Sequence, residues 1–273
     1  VDITNRKSQE ENLQKALLEL KTSNLELQAS NAELENFAYI SSHDLQEPLR
    51  KIQAFGDRIL TSEGHKLSEK GQDYLGRMLS AAERMQNLIN DLLAFSRLNS
   101  RPQEFAALDL NEVLTDVLSD MEVTIERTMA QIESSTLPTI AADPMQMRQL
   151  FQNLVSNAIK FSKEGEVPRI KIWSETIASS SSAGKKMAAI HFQDQGIGFD
   201  EKYKEKIFAI FQRLEGKNYE GSGIGLSICR KIAHRHSGNI TVQSAPGKGA
   251  TFTVTLALHH RIQNKNENIQ ENH

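Results

Sequence analysis

The stretch Ser41-Ser42-His43-Asp44-Leu45-Gln46-Glu47-Pro48-Leu49-Arg50 sets a histidine and an acidic neighbour inside a long helical pattern, with a proline one turn further on. The leucines upstream decide which way the histidine points. Leu13, Leu20, Leu27 and Leu34 recur every seven residues, and Leu17, Asn24, Asn31 and Ala38 fall four after each, the repeat of a coiled coil. Carried forward, this register puts Ser41 on the seam and His43 on the outer face. Leu45, Ile52, Phe55 and Ile59 resume the inward stripe. Asparagine at two successive seam positions costs stability but favours a parallel, in-register pair of helices, so a homodimer is expected.

Pro48 removes a backbone donor and is expected to kink the helix just after His43. Gly64 and Gly71 mark a turn within Thr61 to Gly71. A second helix, roughly Ser68 to Leu98, turns Leu75, Met78, Ala82, Met85, Ile89, Leu92 and Phe95 inward. Two helices joined by a short loop make an antiparallel hairpin, and two hairpins make a four-helix bundle. Ahead of them, Val1 to Lys7 alternates apolar and polar residues as a terminal strand would, leading into a charged helix start.

Composition sets bounds. The 273 residues carry a net charge of -3, 38% hydrophobic residues and one cysteine. The length suits about two domains. The charge offers no electrostatic case for binding nucleic acid or a membrane surface. A single cysteine, Cys229, rules out an internal disulfide and points to the cytoplasm. No apolar run approaches the roughly 20 residues that span a bilayer. A start at Val1 rather than Met leaves room for a longer chain that is sensory or membrane-anchored.

The Asn99-Ser100-Arg101-Pro102-Gln103 stretch is a domain boundary, beyond which the pattern is mixed α and β. Asp109 and Glu112 have capping-box spacing and open a helix with Leu110, Val113, Leu114, Val117, Leu118 and Met121 on one side. Asp143-Pro144 starts a second helix that runs through Lys160. Strands are expected at Arg169 to Thr176 and Met187 to Gln193, with a polar loop over Ser179 to Gly184. A third helix follows from about Gly223 to His236. Ile240 to Ser244 and Thr251 to Ala257 pair across Pro246-Gly247-Lys248-Gly249. The Asn/Gln/Lys-rich end from His259 is expected to be disordered.

Four stretches in this half carry chemistry. Asn153 and Asn157 lie one turn apart on one helix face, and their amide oxygens suit a Mg²⁺ ion shared with phosphates. Lys160 adds a positive charge nearby. Asp194-Gln195-Gly196-Ile197-Gly198-Phe199 follows a strand; its carboxylate can accept the exocyclic amine of adenine, and its glycines let the backbone pass close to a ring. Gly221-Ser222-Gly223-Ile224-Gly225-Leu226 opens a helix whose exposed N–H groups suit a triphosphate. It is neither a Rossmann fingerprint nor a P-loop. Gly247-Lys248-Gly249-Ala250-Thr251-Phe252 is a glycine turn whose Thr251 hydroxyl can help hold the base edge.

In this order Asn153–Ser162, Asp194–Phe199, Ile207–Leu214, Gly221–Leu226 and Gly247–Phe252 resemble the N, G1, F, G2 and G3 boxes of sensor histidine kinases, and His43 with Asp44 and Pro48 resembles their H box. The resemblance implies a coiled coil over residues 1–37, with a PAS exit at 1–7 and a sensor domain upstream. It implies a dimerisation and phosphotransfer domain over 38–99 and a GHKL-type α/β sandwich binding ATP over 104–258, with a tail over 259–273. It casts Asn157 as the Mg²⁺ ligand with Asn153 in support, and Lys160 as a phosphate contact. It casts Asp194 as the reader of adenine, Gly196 and Gly198 as pocket lining, and Gly221, Gly223, Gly225 and Leu226 as the phosphate site. Residues 198–221, with Phe208, Phe211, Arg213 and Lys217, become a lid over ATP. The implied reaction moves a phosphoryl group from Mg²⁺·ATP to Nε2 of His43, with Asp44 accepting the other ring proton, and then to an aspartate of a response-regulator receiver domain. Glu47 stands where many bifunctional members carry threonine or asparagine, so weak phosphatase activity is expected. A GHKL-type serine kinase or ATPase, or a dimeric nucleotide-binding scaffold without kinase activity, remains open on the residues alone.

Overall fold

The computed structural model describes residues 2–100, 105–178, 186–212, 214 and 222–258. In the two long helices it leaves some side chains undescribed, among them those of Leu27, Asn31, Leu34, Ala38, Ser41, His43 and Phe95. The expectations for Gly221, Arg213, Lys217, the 179–185 loop and the tail from 259 also lie outside the described residues.

The chain divides into two compact units, Val1–Ser100 and Arg101–His273. In the first, α1 (Asp2–Glu63) and α2 (Glu69–Ser100) are joined by a single 3-10 turn over Gly64–Lys66. Ser68 stops the turn and starts α2, its Oγ accepting from Gly71 N at 3.2 Å. The hairpin is antiparallel. Gln46 donates to Asn90 at 2.9 Å, and further along α1 a side chain at Gly56 would run into Leu79.

Two expectations are corrected here. Asp2 to Lys7 are helical rather than extended, so the terminal strand falls away; the alternation is short, and the heptads just downstream propagate the helix through it. Further on, α1 runs through Pro48, which lies inside the helix. The hairpin's contact line runs through Ser42, Leu49 and Gly56 on α1 and Ala82 and Leu93 on α2, all buried. Of the stripe read as inward, Ala82 is on this line, and the larger residues of α1 lie one face over. Leu45 is 55%, Phe55 63% and Met78 60% exposed, with Ile52, Ile59 and Met85 beside them. A helix pair has one contact line, so a second apolar face stays uncovered within one chain. Leu13, Leu17 and Leu20 are exposed in the same way.

The second unit is a two-layer sandwich. In order it contains β1 (Ala106–Asp109), α3 (Leu110–Asp120), α4 (Glu122–Thr128), β2 (Gln131–Ser134), β3 (Thr139–Ala142), α5 (Pro144–Lys160), β4 (Arg169–Ala178), β5 (Lys186–Asp194), α6 (Gly225–Arg235), β6 (Asn239–Ser244) and β7 (Ala250–Ala257). The main sheet has the order β2-β4-β5-β7-β6, parallel between β2 and β4 and antiparallel elsewhere. β1 and β3 form a separate antiparallel pair. Strand side chains alternate between faces. Ile170 and Ile172, Ile190 and Phe192, and Val254 and Leu256 are buried with α5 and α6, where Phe151 meets Phe192 edge-on at 5.1 Å. On the other face Trp173 stacks on His191.

Local chemistry starts the helices where expected. Asp109 accepts from Asn111 N at 2.8 Å, and Asp143 accepts from Met145 N and Gln146 N ahead of Pro144. Asn111 then ties α3 to the strand connection, donating to Leu137 O and accepting from Leu137 N, both at 2.8 Å. His236, buried at the end of α6, accepts from Asp143 N at 3.1 Å through Nε2 and donates to Ile232 O at 2.8 Å through Nδ1. Phe105 stacks on its ring. One imidazole thus joins the last turn of α6 to the first turn of α5.

An unmade hydrogen bond to a buried group costs about 1–3 kcal/mol, and His236→Leu leaves the buried Asp143 N–H without its acceptor. We expect that variant to lose about 3 kcal/mol of stability in the second unit. Urea unfolding followed by the fluorescence of Trp173, the single tryptophan, checks this; an unchanged midpoint would show that the imidazole bonds do not matter.

Candidate nucleotide-binding site

The site is assembled at the end of β5, where the sheet delivers a carboxylate into the interior. Asp194 is the last residue of the strand and is 8% exposed. Its Oδ1 accepts from Gly196 N at 2.8 Å and from Ala250 N at 3.1 Å, and among the described residues no donor reaches Oδ2. Burial raises its pKa above the ordinary 3.8, against the lowering effect of the Gly196 and Ala250 N–H groups. One oxygen is therefore held by backbone while the other is left to accept from a ligand.

The loop after Asp194 is pinned on both sides. Ile197 N donates to Phe161 O at 2.9 Å just past α5, and Gly247 N donates to Ile197 O at 2.6 Å from the β6–β7 turn. Ser244 fastens the same turn, its Oγ accepting from Phe199 N at 2.9 Å and donating to Gly249 O at 2.8 Å. This packing leaves no room for side chains. Gly198 (φ 58°) would drive a Cβ into Ala245 O, and Gly249 (φ 77°) would drive one into Asp194 O. Both also hold a left-handed backbone that glycine adopts without strain. A side chain at Gly196 would collide with Phe161 O.

α5 and α6 supply the other wall. Asn153 donates to Gly225 O at 3.4 Å, so its amide meets the first residue of α6. Asn157, one turn later, is half-buried, and its amide makes no hydrogen bond among the described residues. Lys160 closes α5 with its ammonium 4.7 Å from the Phe161 ring centroid. Gly223 turns the chain into α6 with φ 74°, and Leu226 follows in the first turn. Cys229, one turn further along α6, is fully buried, and burial pushes its thiol up to about 12, so it plays no part as a nucleophile.

The structure thus brings together Asn153, Gly223 and Gly225 at one end, and Asp194, Gly196, Gly198 and Gly249 at the other, with α5 spanning the two. Thr251 is not among them. On β7 the inward residues are Ala250, Phe252 and Val254, so Thr251 points to the opposite face beside its partner Gln193. Beside Asp194 lies instead the backbone N–H of Ala250, which donates to Oδ1. Ser244 and Ala250 were not singled out from sequence. A serine at a strand end opposite a Gly-x-Gly turn is the signal for the first; a backbone donor leaves none for the second.

Against this geometry stand the comparisons with known proteins. Residues 142–260 match the family described as histidine kinase-, DNA gyrase B-, and HSP90-like ATPase, and residues 33–101 match the His Kinase A (phospho-acceptor) domain. The chain belongs to the sensor histidine kinases. It is 36% identical over 227 residues to phytochrome-like protein Cph1 of Synechocystis sp., covering 83% of this chain and 29% of that protein. It is 29% identical over 266 residues to the aerobic respiration control sensor protein ArcB of Escherichia coli, covering 93% of this chain and 31% of that one. The chain spans about a third of the length of these curated relatives. Among solved structures, full-length ShkA in complex with AMPPNP is similar in fold, with TM-score 0.62 and 23% identity over 82% of this chain and 46% of that one.

A carboxyl whose folded-state pKa is raised binds its proton more tightly in the folded protein, so folding is favoured at low pH and loses stability as pH rises through the raised value. Asp194→Asn keeps an oxygen for both N–H donors and removes the buried charge. The variant should be more stable than the unmodified chain at pH 7, and the gain should shrink as pH falls toward 3.8. It should also lose affinity for adenine nucleotides, because a donor replaces the free acceptor. Thermal melts across that pH range check the first point, and a gain that grew on acidification would contradict the role assigned to burial.

Proposed function

We propose that this chain is the catalytic core of an ATP-dependent histidine kinase that phosphorylates His43 and passes the phosphoryl group to an aspartate of a response-regulator receiver domain. The observation that carries the proposal is the pairing of a phospho-acceptor helix with an ATPase-type pocket. That pocket has a buried carboxylate free at one oxygen and a glycine-rich helix start beside an asparagine.

The adenine amine would be accepted by Asp194 Oδ2, with Gly196, Gly198 and Gly249 admitting the ring. The N-terminal turn of α6, with Gly223, Gly225 and Leu226, would face the phosphates. Asn157 fits a hard cation, since its amide oxygen is committed to no other group among the described residues; Asn153 would support it, and Lys160 would lie toward the same phosphates. Among the described residues no cluster of three His, Cys, Asp or Glu side chains forms a cation cage, which suits a Mg²⁺ ion that arrives with the nucleotide. Bound there, Mg²⁺ would neutralise charge on the transferring group.

His43 would attack as the neutral imidazole. The P–O bond to ADP breaks as the N–P bond forms, and Asp44 takes the proton of the other ring nitrogen. Glu47 is paired with Lys51 at 2.7 Å, which leaves a carboxylate where a neutral water-orienting group would be needed for dephosphorylation. The uncovered face at Leu45, Ile52, Phe55, Ile59, Met78 and Met85, together with the exposed leucines of α1, supports a homodimer in which two hairpins bury these residues against each other. Input from a sensor domain upstream of α1 belongs to the same reading.

The test is phosphate labelling from γ-labelled ATP. The unmodified chain should acquire acid-labile, base-stable label. His43→Gln should abolish it with nucleotide affinity nearly unchanged, and Asn157→Ala should remove the Mg²⁺-dependent transfer. Undiminished acid-labile label in His43→Gln would sink the assignment.

A further inference from the structure

The proposed nucleotide site leaves one contact on α6 without a role. Arg230 lies a turn and a half past Gly225, and its guanidinium carbon sits 4.3 Å from the ring centroid of Phe208. Its Nη2 donates to Glu205 Oε2 at 2.8 Å. Phe208 is buried, and its ring meets that of Phe252 of β7 edge-on at 6.4 Å. Arg230 and Phe252 thus both contact the Phe208 ring, which lies between α6 and the sheet.

Three residues on, Phe211 holds a left-handed backbone (φ 62°) and is 58% exposed, while its N–H donates to Gly223 O at 3.1 Å. A non-glycine residue in this conformation costs free energy and persists only where its surroundings impose it. Gly223 sits against this turn so closely that a Cβ would lie 3.0 Å from Gln212 O. Two residues later α6 begins at the proposed phosphate site. Gly223 is thus bonded to Phe211, which lies three residues beyond the Phe208 ring that Arg230 covers.

We infer that Arg230 is a positioning residue for the nucleotide: by clamping Glu205 and Phe208 onto α6 it keeps Phe211 bonded to Gly223 and so sets the glycine-rich start of α6 against the phosphates. The inference rests on the ATP-site reading. The ion pair is the smaller part, because Glu205 is 78% exposed and solvent screens it. The guanidinium face over a buried ring is the larger part. Lysine retains the charge but not the planar face.

The experiment uses the full chain and two readouts: affinity for a fluorescent ATP analogue, and hydrogen exchange at the Phe211 amide. Arg230→Met should weaken analogue binding roughly fivefold, the scale of a partly exposed cation–π contact, and should speed exchange at Phe211. Where transfer to His43 is measured, KM for ATP should rise while kcat falls by less. Arg230→Lys should lie between this variant and the unmodified chain, and Glu205→Gln should change affinity less than Arg230→Lys. Should Arg230→Met fail to fold, Arg230→Lys decides by the same readouts. Unchanged affinity and unchanged exchange at Phe211 in the arginine variants, with the unmodified chain binding the analogue, would overturn the inference alone. An unmodified chain that bound no analogue would overturn the ATP-site reading and the inference with it.

Discussion

A buried carboxylate organises the second unit of this protein. Asp194 sits at the end of a central strand in surroundings that disfavour its charge, and two backbone N–H groups, one from the loop after β5 and one from the start of β7, converge on one of its oxygens. Those donors can reach it only if these segments come close. The closeness in turn excludes side chains at Gly196, Gly198 and Gly249. Burial of an ionisable group held by partial compensation is costly for folding. Such a cost is expected where a group serves recognition rather than stability.

The two units meet their burial requirement differently. The second closes on itself: helices cover one sheet face, Phe151 and Phe192 interlock, and His236 ties the ends of α5 and α6 together. The first does not. Its hairpin buries a thin line of small and medium residues, Ser42, Leu49, Gly56 and Ala82, and leaves larger apolar side chains exposed on the adjacent face. A unit built this way leaves apolar area for association, which the proposed homodimer would bury.

Much of this was legible in the sequence, for reasons that differ by residue. Asp109 and Asp143 read as helix caps because capping is a local hydrogen bond written in adjacent residues, and both cap as expected. The glycines around Asp194 read as close approach because no other residue type tolerates it. Four-residue strands such as Ala106–Asp109 and Thr139–Ala142 carry too little periodicity to be seen. Thr251 was placed on the wrong face because β7 begins at Ala250, and a shift of one residue reverses a strand's sides. The inward stripe of α1 was read from spacing alone, which shows that a face is apolar but not whether the same chain covers it.

The central claim is that Asp194 offers its free oxygen to the exocyclic amine of adenine. It is tested most directly by titrating the unmodified chain with ADP and with inosine diphosphate, which carries a carbonyl in place of that amine. A hydrogen bond to a charged group is worth about 1.5–3 kcal/mol, so inosine diphosphate should bind about 10- to 100-fold more weakly than ADP. Equal affinity for the two nucleotides would contradict the account.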